Sequence, residues 1–202
     1  MKIEAETAKL AGLQMDLLQK IRSGNITLEQ LEQFLNAPFQ PPELKTFKTI
    51  KLGTGFKTAD EFREALKKGG NRISDWGDDI LGKSDFEKSI APEEVEVDLC
   101  VTTTKELTRK DFATTKEIFD AIKRIGELCP AEVGAQLRLQ YTDQPRREWL
   151  RVAMEPIKDS DGDLFVFSVG HDDDGRWLRA YFGGPDYRWR ADVRWVFVRR
   201  KS

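Results

Sequence analysis

Arginines alternate with aromatic residues along the end of the chain, and that pairing has a chemistry of its own. Guanidinium groups attract phosphates while rings stack on bases, as in many proteins that hold single-stranded nucleic acid. From Arg176 to Ser202 eight basic residues stand against two acidic ones. Arg176, Trp177, Arg179, Tyr181, Trp189, Arg190 and Arg194 are the candidate contacts for a ligand or a nucleic acid. The competing account is structural: such arginines guard strand edges and stack on their own tryptophans.

The opposite charge precedes this stretch. Between Glu155 and Asp174 seven carboxylates face a single lysine, Lys158. They cluster in two turns, KDSDGD and HDDDG, where Asp side chains brace the backbone and Gly takes positive φ. If the two tips lie side by side, Asp159, Asp161, Asp163, Asp172 and Asp173 could offer oxygen ligands to calcium or magnesium. The spacing lacks the Gly position and terminal Glu of an EF-hand loop, so solvated turns are the simpler account and no cofactor is assigned.

Three other features are weighed in the same way. KLGTGFKT, with Lys51, Gly53, Gly55 and Thr58, reads as strand, glycine turn and helix start, an arrangement whose amides can cradle a phosphate. It has neither the third Gly of a dinucleotide fingerprint nor the G-K-S/T ending of a P-loop. His171, the sole histidine, could act as a general base beside the aspartates that follow it, although a lone histidine in an acidic turn is ordinarily just solvated. Cys100 and Cys129 lack any other nearby base to make either a nucleophile. No triad, Cys/His cluster or paired-carboxylate motif emerges.

These residues need elements to position them. Leu137–Tyr141, EWLRVAMEPI, LFVFSV, RWLRAYF and VRWVFVRR read as strands rich in branched and aromatic residues, separated by Asp, Gly and Pro turns. LFVFSV is apolar on both sides, which suits a central strand. Upstream, FKTIKL and VEVDLCV read as further strands, the latter with Val95, Val97, Leu99 and Val101 on one face and Cys100 on the other. Capping boxes at Thr27–Gln30, Thr58–Glu61 and Thr114–Glu117 open three helices. The last, with Ile118, Phe119, Ile122 and Ile125 on one side, is expected to roof the sheet. NRISDWGDDILG is read as one more short helix, and a turn of helix after Ser84.

The N-terminal segment is different in character. Leu10, Leu13, Leu17, Leu18 and Ile21 form one apolar stripe, and Leu28, Leu31, Phe34 and Leu35 form another on a second helix. A helix-turn-helix reader of DNA is set aside because LEQLEQFLN carries Glu29 and Glu32 and no basic residue to meet phosphates. The pair is expected to pack or to bind a partner. Pro38, Pro41 and Pro42 mark a stiff linker, giving a hairpin at 1–37, a linker at 38–45 and a main domain at 46–202.

The bulk properties constrain less. Of 202 residues 39% are hydrophobic and 34% charged, enough to form a core, and the net charge of -2 selects no anionic or cationic partner. Two cysteines and no apolar leader suggest a reducing, cytoplasmic setting, and no run reaches the roughly 20 apolar residues of a membrane span. The expected fold is α+β: an antiparallel sheet of about five to six strands with helices on one face, preceded by the hairpin. The expected function is binding, with another protein or a second copy as partner through the hairpin and nucleic acid behind it. The alternative is a metal-dependent hydrolase or nuclease that uses the acidic turns against the basic aromatic strands.

Overall fold

The computed structural model describes residues 2–36 and 44–200, the side chains of residues 2–10 and 34 aside. The chain divides into two compact units, Met1–Glu43 and Leu44–Ser202. The Pro38–Pro42 linker, like the side chains of Leu10 and Phe34, lies outside the described residues.

The first unit holds α1 (Lys2–Arg22) and α2 (Leu28–Asn36). The turn between them is braced as the sequence predicts: the Thr27 hydroxyl accepts from the Gln30 amide, and the Gln30 side chain accepts from the Thr27 amide.

The second unit runs β1 (Lys48–Leu52), α3 (Ala59–Lys68), β2 (Asn71–Ile73), α4 (Asp75–Leu81), α5 (Ser84–Glu87), β3 (Val95–Thr103), α6 (Thr104–Thr108), β4 (Phe112–Thr114), α7 (Thr115–Ile125), β5 (Gly126–Glu127), α8 (Glu132–Gln140), β6 (Trp149–Val152), β7 (Ile157–Lys158), β8 (Leu164–Asp172), β9 (Gly175–Phe182), β10 (Arg188–Arg190) and β11 (Arg194–Arg199). Nine strands form one mixed sheet, ordered β1-β3-β11-β6-β8-β9-β2, with β5 on β11 and β7 on β8, and it curls into a half-barrel. β10 and β4 form a separate pair.

This corrects the expected antiparallel sheet of five or six strands. β11 runs parallel to β6, and β2 parallel to β9. The expectation came from joining neighbouring segments into hairpins, which holds for β8–β9. The two parallel pairs join segments far apart in the chain, and no local turn signal announces such pairs.

Helices on one face are corrected as well, because both faces are covered. Neighbouring residues in a strand point to opposite sides. On one side α7 meets β11, with Phe119 edge-on to Trp195 at 5.9 Å between ring centroids. On the other, α8 crosses β8 so closely that a Cβ on Gly134 would stand 2.7 Å from the Phe167 side chain. On the same side α3 and α5 reach β8 through a chain of rings, Phe62 to Phe86 at 5.3 Å and Phe86 to Phe167 at 5.9 Å. Cover on both sides is why Cys100, on the face opposite Leu99, is as buried as Leu99, while Val95 at the strand's start is exposed.

The predicted strand at Leu137–Tyr141 is the C-terminal part of helix α8 and the residue that follows it. Its local alternation of Leu and polar residues is misleading because the helix is buried nearly all round, Glu132, Gln136 and Arg138 included. A helix without a wet face shows no helical period, and α8 also starts at Ala131 without a side-chain cap. Likewise NRISDWGDDILG splits into β2 and α4, with Ser74 between them accepting from the Gly77 amide. The capping boxes at Thr58 and Thr114 form as expected. α7 buries Ile118, Phe119 and Ile122, each contributing roughly 1.5–3 kcal/mol of apolar transfer.

Candidate binding surfaces

β6, β8, β9 and β2 leave part of the α7 side of the sheet half exposed, and the side chains there are arginines and rings. Register places Trp149 of β6 and Trp177 of β9 on either side of Gly170, and Arg151 and Arg179 on either side of Ser168. Arg72 of β2 stands opposite Trp177. Trp149 lies so flat on β8 that a Cβ on Gly170 would be 2.0 Å from its ring.

The groups stack in sequence. The Arg72 guanidinium sits 4.7 Å from the Trp177 ring and that of Arg179 sits 4.4 Å from it. Arg179 also lies 4.6 Å from Trp149. Arg151 lies 3.7 Å from the Tyr181 ring and 6.0 Å from Trp189. Contacts of this kind contribute about 0.5–2 kcal/mol each, more as water is excluded.

Charge is balanced unevenly along this face. Asp172 accepts from the Trp177 indole at 2.9 Å and from Arg179 at 2.7 Å. Arg151 donates to the Ser168 hydroxyl, its buried Nε has no partner, and it forms no ion pair among the described residues. Burial holds its guanidinium below the usual arginine value. Beside the stack, at the free edge of β9, a cleft of about 450 Å³ is walled by Ser74, Asp75, Trp76, Trp177, Arg179 and Tyr181. Trp76 is 53% exposed there.

The fold thus divides the sequence candidates. Trp177, Arg179 and Tyr181 share this face, and Trp189 is buried beside it, edge-on to Trp195 at 4.8 Å. Arg176 points to the other side of β9 and donates to the carbonyls of Thr142 and Gly69. Arg194 pairs with Glu148 at 2.6 Å, and Arg190, on the small β10–β4 sheet, pairs with Asp192 at 3.3 Å. Three members of the stack are absent from the sequence candidates: Arg72, Trp149 and Arg151. The alternation of Trp149 and Arg151 against Leu150 and Val152 was the available signal. That they neighbour β9's residues depends on β8 lying between.

The acidic turns do not lie side by side. They sit at the two ends of β8, roughly 25 Å apart at the usual rise per residue. Asp159 accepts from the amides of Asp161 and Asp163 at 3.0 and 2.8 Å, and Asp173 faces Arg146 at 3.6 Å. Among the described residues no three His, Cys, Asp or Glu side chains are grouped to hold one ion. Asp163 borders a second hollow of about 360 Å³, with Phe182, Pro185 and Tyr187.

The glycine turn is built around a carboxylate of the protein itself. Glu132, fully buried, accepts from the amides of Gly53 and Ala91, both at 2.8 Å, and from Gln136 at 2.9 Å. Gly53 has φ 63°, and a Cβ there would stand 2.2 Å from the Glu93 carbonyl oxygen. Gly55 also has positive φ. Lys51 pairs with Glu94 at 2.9 Å, and Thr58 caps α3.

His171 is half-buried, its Nδ1 2.7 Å from the Gln144 carbonyl oxygen, which makes Nδ1 the protonated nitrogen of the neutral ring. Cys100 and Cys129 are free and buried, and burial pushes both thiols up from their ordinary value.

In the first unit the apolar residues are largely uncovered. Leu13, Met15, Leu18, Leu28 and Leu35 are each 54–68% exposed, while Leu17, Ile21 and Leu31 are half-buried. Among the described residues no helix is long and apolar enough to cross a membrane. Compared with models of protein families, with characterised proteins and with solved structures, the chain matches none.

Proposed function

We propose that this protein works by binding, and that its N-terminal helices are the element that meets another protein, a second copy of the chain in the first instance. The observation that carries the reading is the bareness of α1 and α2. Five large apolar side chains, each more than half exposed, stand within 23 residues, an exposure that costs free energy until something covers it. Two helices cannot bury both their stripes alone, whereas two such pairs can close a four-helix bundle with one shared core. A twofold pairing of this kind uses the same surface twice, so it needs no second kind of chain.

Static light scattering on the full chain tests this. Twice the single-chain mass is expected at tens of micromolar, and Leu13→Glu with Leu28→Glu should return the single-chain mass while leaving near-ultraviolet circular dichroism unchanged. A single-chain mass for the unaltered protein at that concentration would overturn the reading.

A further inference from the structure

We infer that the open part of the α7 side of the sheet binds single-stranded nucleic acid, with phosphates on Arg72, Arg151 and Arg179 and a base in the cleft walled by Trp76, Trp177 and Tyr181.

Three independent observations lead there. The first is chemistry: guanidinium groups and rings alternate over three strands of one face, at 3.7 to 4.7 Å between stacked members. Such a surface offers phosphate contacts and stacking planes together, and it suits bases of any sequence because every base has a flat face. The second is charge. Among the described residues three guanidinium groups meet two carboxylates, Asp172 and Asp75, and Arg179 alone of the three is ion-paired, while Arg72 donates to the Asp174 carbonyl oxygen at 3.3 Å. Arg151 has two rings beside it, one hydroxyl, and a buried Nε without a partner. A guanidinium withdrawn from water without an anion is costly, and a phosphate oxygen would supply the missing charge. The third is shape: the cleft of about 450 Å³ opens beside the stack, within the range of sites that take small ligands, and Trp76, whose ring packs on Phe165 and Phe182 at the strand's other face, is 53% exposed at its rim. An acidic protein segment would satisfy the charge. It would place nothing planar on the exposed surface of the Trp76 ring, so the observations favour nucleic acid.

Fluorescence polarisation of the full chain with fluorescein-labelled twelve-nucleotide oligouridylate and oligothymidylate, at low salt, is the test. Both are expected to bind, since stacking and phosphate contacts do not need the 2′-hydroxyl. If three phosphates are neutralised, log K should fall with log salt at a slope of about −2. Arg72→Glu and Trp76→Ala, both at exposed side chains, should each weaken binding about tenfold or more while leaving circular dichroism and the light-scattering mass unchanged. Arg72→Glu should also flatten the salt slope by about 0.7. No polarisation change at one hundred micromolar protein would overturn the inference. So would unchanged affinity in both variants, and so would displacement of the oligonucleotide by polyglutamate at equal charge concentration, which would point to an acidic protein instead.

Discussion

Arg138 is the residue whose placement departs furthest from ordinary rules. It is fully buried, yet among the described residues it forms no ion pair. Burial first, and the nearby charge of Arg176 second, pull its guanidinium down to about 10. Its donors go to the Gln144 side chain and to the carbonyls of Gly170 and Tyr141, so one side chain ties the end of α8 to the strand on which Trp149 lies. Removing it takes a donor from three acceptors, at up to about 1–3 kcal/mol each, while relieving the cost of a buried charge whose Nε has no partner. Arg138→Met is therefore expected to lower stability by about 2–4 kcal/mol, read as a lower urea midpoint with an unchanged slope. A midpoint that stays or rises would show that desolvation of the guanidinium outweighs its hydrogen bonds.

Among the elements, α8 is decisive. It packs on β1, β8, β9 and α3, and its glycine shows how tight that contact is. In an exposed helix, replacing Gly by Ala adds roughly 1 kcal/mol of stability through propensity. At Gly134 the new methyl would stand 2.7 Å from Phe167, so the sign should reverse. Gly134→Ala is expected to cost about 1–3 kcal/mol by overpacking, measured as a lower thermal midpoint, and a raised midpoint would show that α8 can lift from β8. The same burial hid this helix from a periodicity argument. α7, wet on one side, carried both its period and its Thr114 cap in the open. Of the cover of the sheet expected from it, the contact with β11 is seen, where Phe119 meets Trp195.

At the scale of the whole unit, the last strand occupies the middle of the sheet. β11 lies between β3 and β6 and also takes β5, with Trp195, Val196 and Phe197 fully buried. Termini usually tolerate trimming because little packs on them. Here the reverse is expected: a chain ending at Asp192 should lose its cooperative thermal transition, since its sheet would be opened between β3 and β6. Persistence of that transition would mean that the two halves of the sheet hold without β11.

What the sequence determined by itself is what neighbours in the chain decide. The Thr27, Thr58 and Thr114 boxes, the β8–β9 hairpin, the buried apolar run of β8 and the basic aromatic character of β9 were all legible, because each rests on contacts within a few residues. The tertiary structure alone decided which strands adjoin. It set β11 parallel to β6, placed the two acidic turns at opposite ends of β8, and turned Arg176 and Arg194 away from the face that gained Arg72, Trp149 and Arg151. Pairing across a sheet is settled by which long-range arrangement buries the most apolar surface with every backbone group bonded. That sum is taken over the whole unit, and no short stretch of residues records it.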